Sequence, residues 1–579
     1  MFPSVLQLSE LNGPTGFVIN GSATFEQIGW SVNMVGDLNG DGIDDLAIGA
    51  PFASSPGRAR AGKVYVIFGK RGGWGKSINL SSLNINIGCS IAGLAPGDSF
   101  GWSVQGAGDI NRDGVDDLIV GAPFADVVKP SEGSKGPNPK LVDAGQSYVI
   151  FGQRDRLRFN NLNLATLNGR DGFTINGQTA GDALGYAVSG TGDLNGDGIA
   201  DLMVGAPFQQ SPRGAKSGHV NIIFGQRVVF PPVFDWASLN NSRSGLVISG
   251  ASAGEQAGFS LARAGDVNGD GVSDILIGAP NANTRGSNSG RSYVIFGTRF
   301  GLPPTLDLGQ LYSRFGFGLN GFANQGRSGY VVQGIGDVNG DGIADIGIGA
   351  PFAQPSGYYS GQSYVVFGRR GGYNAFELNT LNGRNGWMIN GNVGRSGFSL
   401  AGIGDINGDR KADLAIGAPF DQARGGLGTG RGYVLYGHTA STQGTIALPY
   451  LNGKTGFKTN GRLPDEAVGY AVGGGSDING DRRADFVLSA PFANANGISK
   501  AGQVYVIFGQ PPPPPPKPSP IPKPTTQPKK PTPTATPQPK KTSPTSTKQP
   551  VKPQPSPSPQ PSPSPSPSPS PSPPASSQS

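Results

Sequence analysis

Residues 36–52 read G-D-L-N-G-D-G-I-D-D-L-A-I-G-A-P-F, an acidic loop that runs straight into a short apolar segment and a Gly-Ala-Pro turn. The pattern D-x-N-x-D-x-x-x-D inside it begins at Asp37. It returns at Asp109, Asp193, Asp266, Asp337, Asp405 and Asp477, at intervals of 72, 84, 73, 71, 68 and 72 residues. A fixed order of residues at a near-constant period marks one structural unit repeated along the chain.

Working outward from the loop, each unit has the same parts. In the first, IGWSV precedes the loop, LAIGAPF follows it, KVYVIFG comes after a variable link, and GCSIAG ends the unit at 88–93. These are four runs of strand length separated by Gly, Pro and Asp turns, which predicts a four-stranded propeller blade with long loops. The ends of the array argue against an open solenoid. The chain opens with GFVING at 16–21, a fourth-strand segment like GFTING at 172–177 and GWMING at 386–391. It reaches a third-strand segment, VYVIFG at 504–509, with no fourth strand behind it. If the first segment pairs into the last blade, the ring closes and its exposed edges disappear. The expected fold is all-β: a seven-bladed β-propeller over 1–510, closed by the N-terminal strand and followed by a disordered Pro-rich tail over 511–579.

Composition sharpens that boundary. Of 51 prolines, 29 lie in the last 69 residues, which lack Phe, Tyr, Trp and Leu and so have nothing with which to form a core. Extended as polyproline II at about 3.1 Å per residue, the tail reaches roughly 200 Å and reads as a spacer. The formal net charge of +7 also resides there, in eight lysines without an acid. The remaining 38 basic and 39 acidic residues nearly balance, so no nucleic-acid footprint is expected. Cys89 is the only cysteine, which excludes an intrachain disulfide. No signal peptide and no apolar run long enough for a membrane span is visible.

Calcium takes six to eight hard oxygens at about 2.3–2.6 Å, which a tight loop with carboxylates at alternate positions can wrap. In the first loop Asp37, Asn39 and Asp41 offer side-chain oxygens at positions 1, 3 and 5, Ile43 its backbone carbonyl at position 7, and Asp45 a carboxylate at position 9. The second loop sets out Asp109, Asn111, Asp113, Val115 and Asp117 in those places, and the third Asp193, Asn195, Asp197, Ile199 and Asp201. The fourth has Asp266, Asn268, Asp270, Val272 and Asp274, and the fifth Asp337, Asn339, Asp341, Ile343 and Asp345. The sixth has Asp405, Asn407, Asp409, Lys411 and Asp413, and the seventh Asp477, Asn479, Asp481, Arg483 and Asp485. Turn-forming tendency explains Asp, Asn and Gly but not their fixed order seven times over. Oxygen ligands without His or Cys point to Ca²⁺, up to seven ions, with Mg²⁺ as the alternative. Position 6 is glycine in five loops but Arg410 and Arg482 in the last two, where a left-handed backbone would be strained and calcium held more weakly.

The units also resemble a known family. An FG pair or near variant stands before each acidic loop (Phe100 and Gly101, Ile28 and Gly29, Leu184 and Gly185). GAP follows at 49–51, 121–123, 205–207, 278–280, 349–351 and 417–419, with SAP at 489–491. This is similar to the FG-GAP repeat of integrin alpha-subunit heads and of the propeller in glycosylphosphatidylinositol-specific phospholipase D. The resemblance implies calcium loops on one face and ligand-binding loops between strands 2 and 3 on the other. There the longest is 124–144, basic residues such as Arg58, Arg60, Lys140, Arg213 and Arg285 recur, and Tyr358 and Tyr359 add aromatics. The expected function is an extracellular or cell-surface adhesion module, monomeric, with a protein or glycan ligand. The alternatives are a calcium-dependent polysaccharide lyase and a purely structural envelope protein. No catalytic residue is expected, because His219 and His438 are isolated from each other and from any nucleophile motif.

Overall fold

The computed structural model describes residues 2–510 except 130–137, 161, 237–238, 240–242, 423–427 and 440–442. The expected disordered tail, 511–579, lies outside the described residues, as does part of the long loop of blade 2. Among the described residues the strands form seven antiparallel blades around a central channel. Blade 1 shows the pattern: Ser31–Gly36 innermost, then Asp45–Ala50, Lys63–Ile67 and Gly88–Ala92 outward.

The second strands, Asp45–Ala50 and its counterparts, are buried at every position because they have sheet neighbours on both sides and another blade against each face. Their near-continuous apolar sequence reflects that. The apolar residues fall into seven clusters, one between each pair of adjacent blades, the ring closing with the cluster that joins blade 7 to blade 1 through Phe17, Ile48, Tyr65 and Val506.

Two motif glycines set the spacing between blades. A Cβ on Gly49, the glycine of the first GAP, would stand 2.1 Å from the carbonyl oxygen of Gly101, the FG glycine of the next blade. Gly121 against Gly185 and Gly417 against Gly469 repeat the clash at 1.9 and 2.0 Å. The two halves of the motif therefore meet backbone to backbone at six interfaces, while at the seventh Ser489 stands in place of the GAP glycine and its side chain faces Gly29.

Closure follows the expectation. Gly16–Asn20 pairs antiparallel with Gln503–Ile507 of blade 7, from Gly16 opposite Ile507 to Asn20 opposite Gln503. A fifth strand, not foreseen, lies parallel to the outer edge of five blades. It comes from the link between strands 3 and 4 of the following blade: Ser77–Asn79 of blade 1 pairs with Gly16–Asn20 in blade 7. Blade 6 receives Val5–Gln7, so the N-terminus stitches two blades. Blades 3, 4 and 5 receive Thr305–Asp307, Phe376–Glu377 and Thr445–Ala447. No described helix is long and apolar enough to cross a membrane.

Candidate metal loops and the opposite face

All seven D-x-N-x-D-x-x-x-D loops connect strand 1 to strand 2 of their blade and share one internal wiring. The position-9 aspartate opens strand 2 in six blades, immediately precedes it as Asp413 in blade 6, and is fully buried in every blade. Asp45 accepts from the N–H of Leu38, at position 2, at 3.0 Å and from the N–H of Gly69, just beyond strand 3, at 2.8 Å. Asp117, Asp201, Asp274, Asp345, Asp413 and Asp485 repeat both bonds. This carboxylate ties the loop to its own blade.

The position-1 carboxylate folds the loop on itself. Asp37 accepts from the N–H groups of Asp41 and Gly42 at 3.0 and 2.6 Å, and Asp41 accepts from the N–H of Ile43 at 3.0 Å. The other six loops carry the same bonds.

Burial, with the charges of the position-1 and position-5 aspartates added, pushes the Asp201, Asp274, Asp345, Asp413 and Asp485 carboxyls up to about 8. Asp45 and Asp117 are raised well above the carboxylate range for the same reasons. Three acids per loop, one of them buried, form an all-oxygen donor set that fits a hard divalent cation in its chemistry. The side chains are not gathered around a common centre: among the described residues no group of three His, Cys, Asp or Glu converges as a metal site. The position-1 and position-5 carboxylates are turned onto N–H groups instead.

Gly42 has φ of 83°, and Arg410 and Arg482 are forced to 71° and 68° at the same position, as the sequence predicted. The structure adds a third non-glycine in this region: Arg112, at position 4 of the second loop, has φ of 59°. It also adds a cation from outside the first loop. Arg156, on the link between strands 3 and 4 of blade 2, donates from Nη2 to Asp41 at 2.5 Å and to Asn39 at 3.1 Å. Its guanidinium is held 4.9 Å above the Phe68 ring.

On the opposite face the channel mouth is ringed by seven half-buried aromatic side chains, one per blade: Trp30, Trp102, Tyr186, Phe259, Tyr330, Phe398 and Tyr470. Neighbouring rings lie 4.9–5.7 Å apart at interplanar angles of 43–51°, and Tyr470 meets Trp30 to complete the circle. The Phe after each GAP or SAP meets its blade's ring edge-on from outside, as Phe52 meets Trp30 at 4.9 Å and 89°. Blade 4 has Asn281 there. The signal was present in the sequence and not used: an aromatic follows the FG glycine in every unit.

Much of the expected basic surface is consumed by ion pairs. Arg213 meets Asp307 at 2.6 Å and Arg285 meets Glu377 at 2.8 Å, fastening the strand 2–3 loops of blades 3 and 4 to their fifth strands. Lys140 meets Asp126 at 2.6 Å within the blade 2 loop. Of the histidines, His219 contacts Ser249 at 3.3 Å and its pKa is lowered by burial. His438 stacks on Trp387 at 4.1 Å.

A family model described as the FG-GAP repeat matches seven segments of the chain, 29–67, 100–150, 184–220, 257–295, 328–366, 396–435 and 468–507, each covering one loop with its flanking strands. Phosphatidylinositol-glycan-specific phospholipase D of Bos taurus is 34% identical over 199 residues, 34% of this chain and 20% of that protein. The Homo sapiens enzyme of that name is 30% identical over 263 residues, 45% of this chain and 27% of that one. Integrin alpha pat-2 of Caenorhabditis elegans is 30% identical over 251 residues, 41% of this chain and 18% of that one. The chain thus spans about a quarter or less of the length of these relatives. With seven matched repeats on seven blades, the chain is an FG-GAP repeat protein, a distant relative of integrin alpha subunits and of glycosylphosphatidylinositol-specific phospholipase D.

Proposed function

We propose that the chain is a calcium-binding recognition module that acts at the cell surface or outside the cell. Its loops take Ca²⁺ on one face, and a protein or glycan ligand binds the other. The observation that carries the recognition half is the unbroken circle of half-buried aromatics opening opposite the loops, since aromatic side chains are enriched at binding surfaces and a rigid scaffold holds these in place. The cation half is supported by seven buried position-9 aspartates, each with two acidic neighbours in its own loop.

When bound, Ca²⁺ supplies countercharge to three carboxylates. The chain's own residues fix the loop beneath it, the position-9 carboxylate anchoring it to the N–H groups of position 2 and of the strand 3 terminus. Loops of this kind fill readily where calcium is millimolar, which supports an extracellular setting. Binding without catalysis is favoured because His219 is engaged with Ser249 and His438 with Trp387. A monomer is favoured because fifth strands cover the outer edges of blades 3 to 7.

An array of glycans and surface proteins, probed with the full chain in Ca²⁺ and again in EDTA, tests the reading. Ligands bound in Ca²⁺ and weakened in EDTA are expected. An array blank in both conditions contradicts recognition, and unsaturated sugar products absorbing in the ultraviolet would make the chain a lyase.

A further inference from the structure

The 2–3 loop face is not uniform from blade to blade. The residue two before each FG glycine is left-handed throughout, with φ of 53–60° at Gln27, Ser99, Ala183, Gln256 and Ala467, so this strain belongs to the scaffold. Blades 5 and 6 alone place arginine there: Arg327 at φ 53° and Arg395 at φ 57°. Both guanidinium groups lie over one ring, that of Phe352, at 4.9 and 4.8 Å from its centre. Arg395 also lies 4.8 Å from the Tyr359 ring centre and 5.1 Å from that of Phe420. Tyr358 packs on Tyr359 with ring centres 3.9 Å apart, and the two tyrosines are 68% and 43% exposed.

Three physical consequences follow. A guanidinium carries five N–H donors, and with one of them on the Tyr359 hydroxyl Arg395 still has donors for a planar anion, as does Arg327, the group that pairs with carboxylate. Two like charges on one ring stand no more than about 10 Å apart and repel, a cost that a shared anion removes. The nearby Asp421 does not neutralise them, because it is buried and already accepts from Arg431 and Tyr433. No salt bridge of Arg327 or Arg395 occurs among the described residues. The exposed tyrosine pair beside them offers broad flat faces, suited to stacking against the C–H face of a pyranose.

We infer that the Arg327, Arg395, Tyr358 and Tyr359 cluster between blades 5 and 6 is a binding site for an acidic polysaccharide, uronate carboxylates meeting the arginines and sugar rings the tyrosines. This rests on the recognition reading above and gives it a place and a ligand class.

Titration of the calcium-loaded full chain with tetragalacturonate, with cellotetraose as neutral control, tests it. The acidic sugar is expected to bind and the neutral one not. Arg327→Gln with Arg395→Gln should weaken binding at least about tenfold, and Tyr358→Ala with Tyr359→Ala roughly fivefold. Arg60→Gln, over Phe52 in blade 1, should leave binding unchanged, and all variants should melt as the parent does. Failure of the parent to bind tetragalacturonate overturns the inference, as does undiminished binding by the double arginine variant or equal binding of poly-glutamate, which would mark an acidic peptide site. Array ligands that the double arginine variant still binds would keep the recognition reading and remove only this site.

Discussion

At single positions the account turns on residues that break the repeat. Arg410 occupies a backbone that suits glycine, at φ 71° with its N–H 2.7 Å from Asp405, and brings a positive charge to a loop proposed to hold a cation. Arg410→Gly should relieve about 1 kcal/mol of strain and tighten calcium at the sixth loop, read by isothermal titration against the parent. Unchanged affinity would mean that Arg410 does not weaken calcium at this loop. Asn221 is the second such residue. Six blades have tyrosine at this point of strand 3, and in blades 1, 4 and 6 its hydroxyl reaches a buried acid, Glu26, Glu255 and Asp421. In blade 3 Asn221 stops short, and Asp182 Oδ2 has no partner beside a small polar cavity lined by Gln178, Gln209, Asn221 and Trp236. Asn221→Tyr should fill the cavity, supply the hydroxyl and stabilise by about 1 kcal/mol in urea unfolding. Position 6 was legible in the sequence because glycine's absence stands out in an aligned repeat. Arg156 was not, since its approach to Asp41 across 115 positions is set by how blade 2 packs on blade 1.

At the scale of elements, the turns that lead into strand 1 of blades 1, 2, 3, 4 and 7 each hold a buried acid, Glu26, Asp98, Asp182, Glu255 and Glu466. Asp98 accepts from the N–H of Ala95 at 3.0 Å, and Glu26 from those of Ser22 and Ala23 at 2.8 and 3.0 Å. Burial pushes the Asp98 and Asp182 carboxyls up to about 6. A folded-state pKa above the unfolded value near 4 gives stability that is complete below pH about 4 and is lost as pH rises through about 6. Asp98→Asn should therefore gain on the parent by about 1 kcal/mol between pH 4.5 and 7, measured by urea unfolding at both values. A constant difference would mean that Asp98 titrates normally. The four strands of each blade were legible because alternating apolar runs and Gly turns announce them. The fifth was not: Ser77–Asn79 is three residues long, has no periodicity and becomes a strand only by lying on the neighbouring blade. The aromatic circle was missed for a related reason, since one residue per unit gains meaning only when seven are brought together.

For the whole molecule, closure and charge decide stability. Removing residues 1–21 would take Gly16–Asn20 from blade 7 and Val5–Gln7 from blade 6, baring the edge of Gln503–Ile507. The truncated chain should melt well below the parent and associate through that edge, visible in light scattering. A truncated chain that stays monomeric and equally stable would mean that the seam is not structural. The ring was legible from the offset between the two ends of the array, because a propeller must complete its last blade. The ligand proposed for the face opposite the loops was not, since the side chains that would choose it differ between blades. The central claim, that seven acidic loops brace the propeller by holding Ca²⁺, meets its most direct test in the thermal unfolding of the full chain in millimolar Ca²⁺ and in excess EDTA. The account predicts a melting temperature higher in Ca²⁺ by roughly 10 °C or more, since several sites present only in the folded state add their linkage free energies. Identical melts in Ca²⁺ and in EDTA would contradict it.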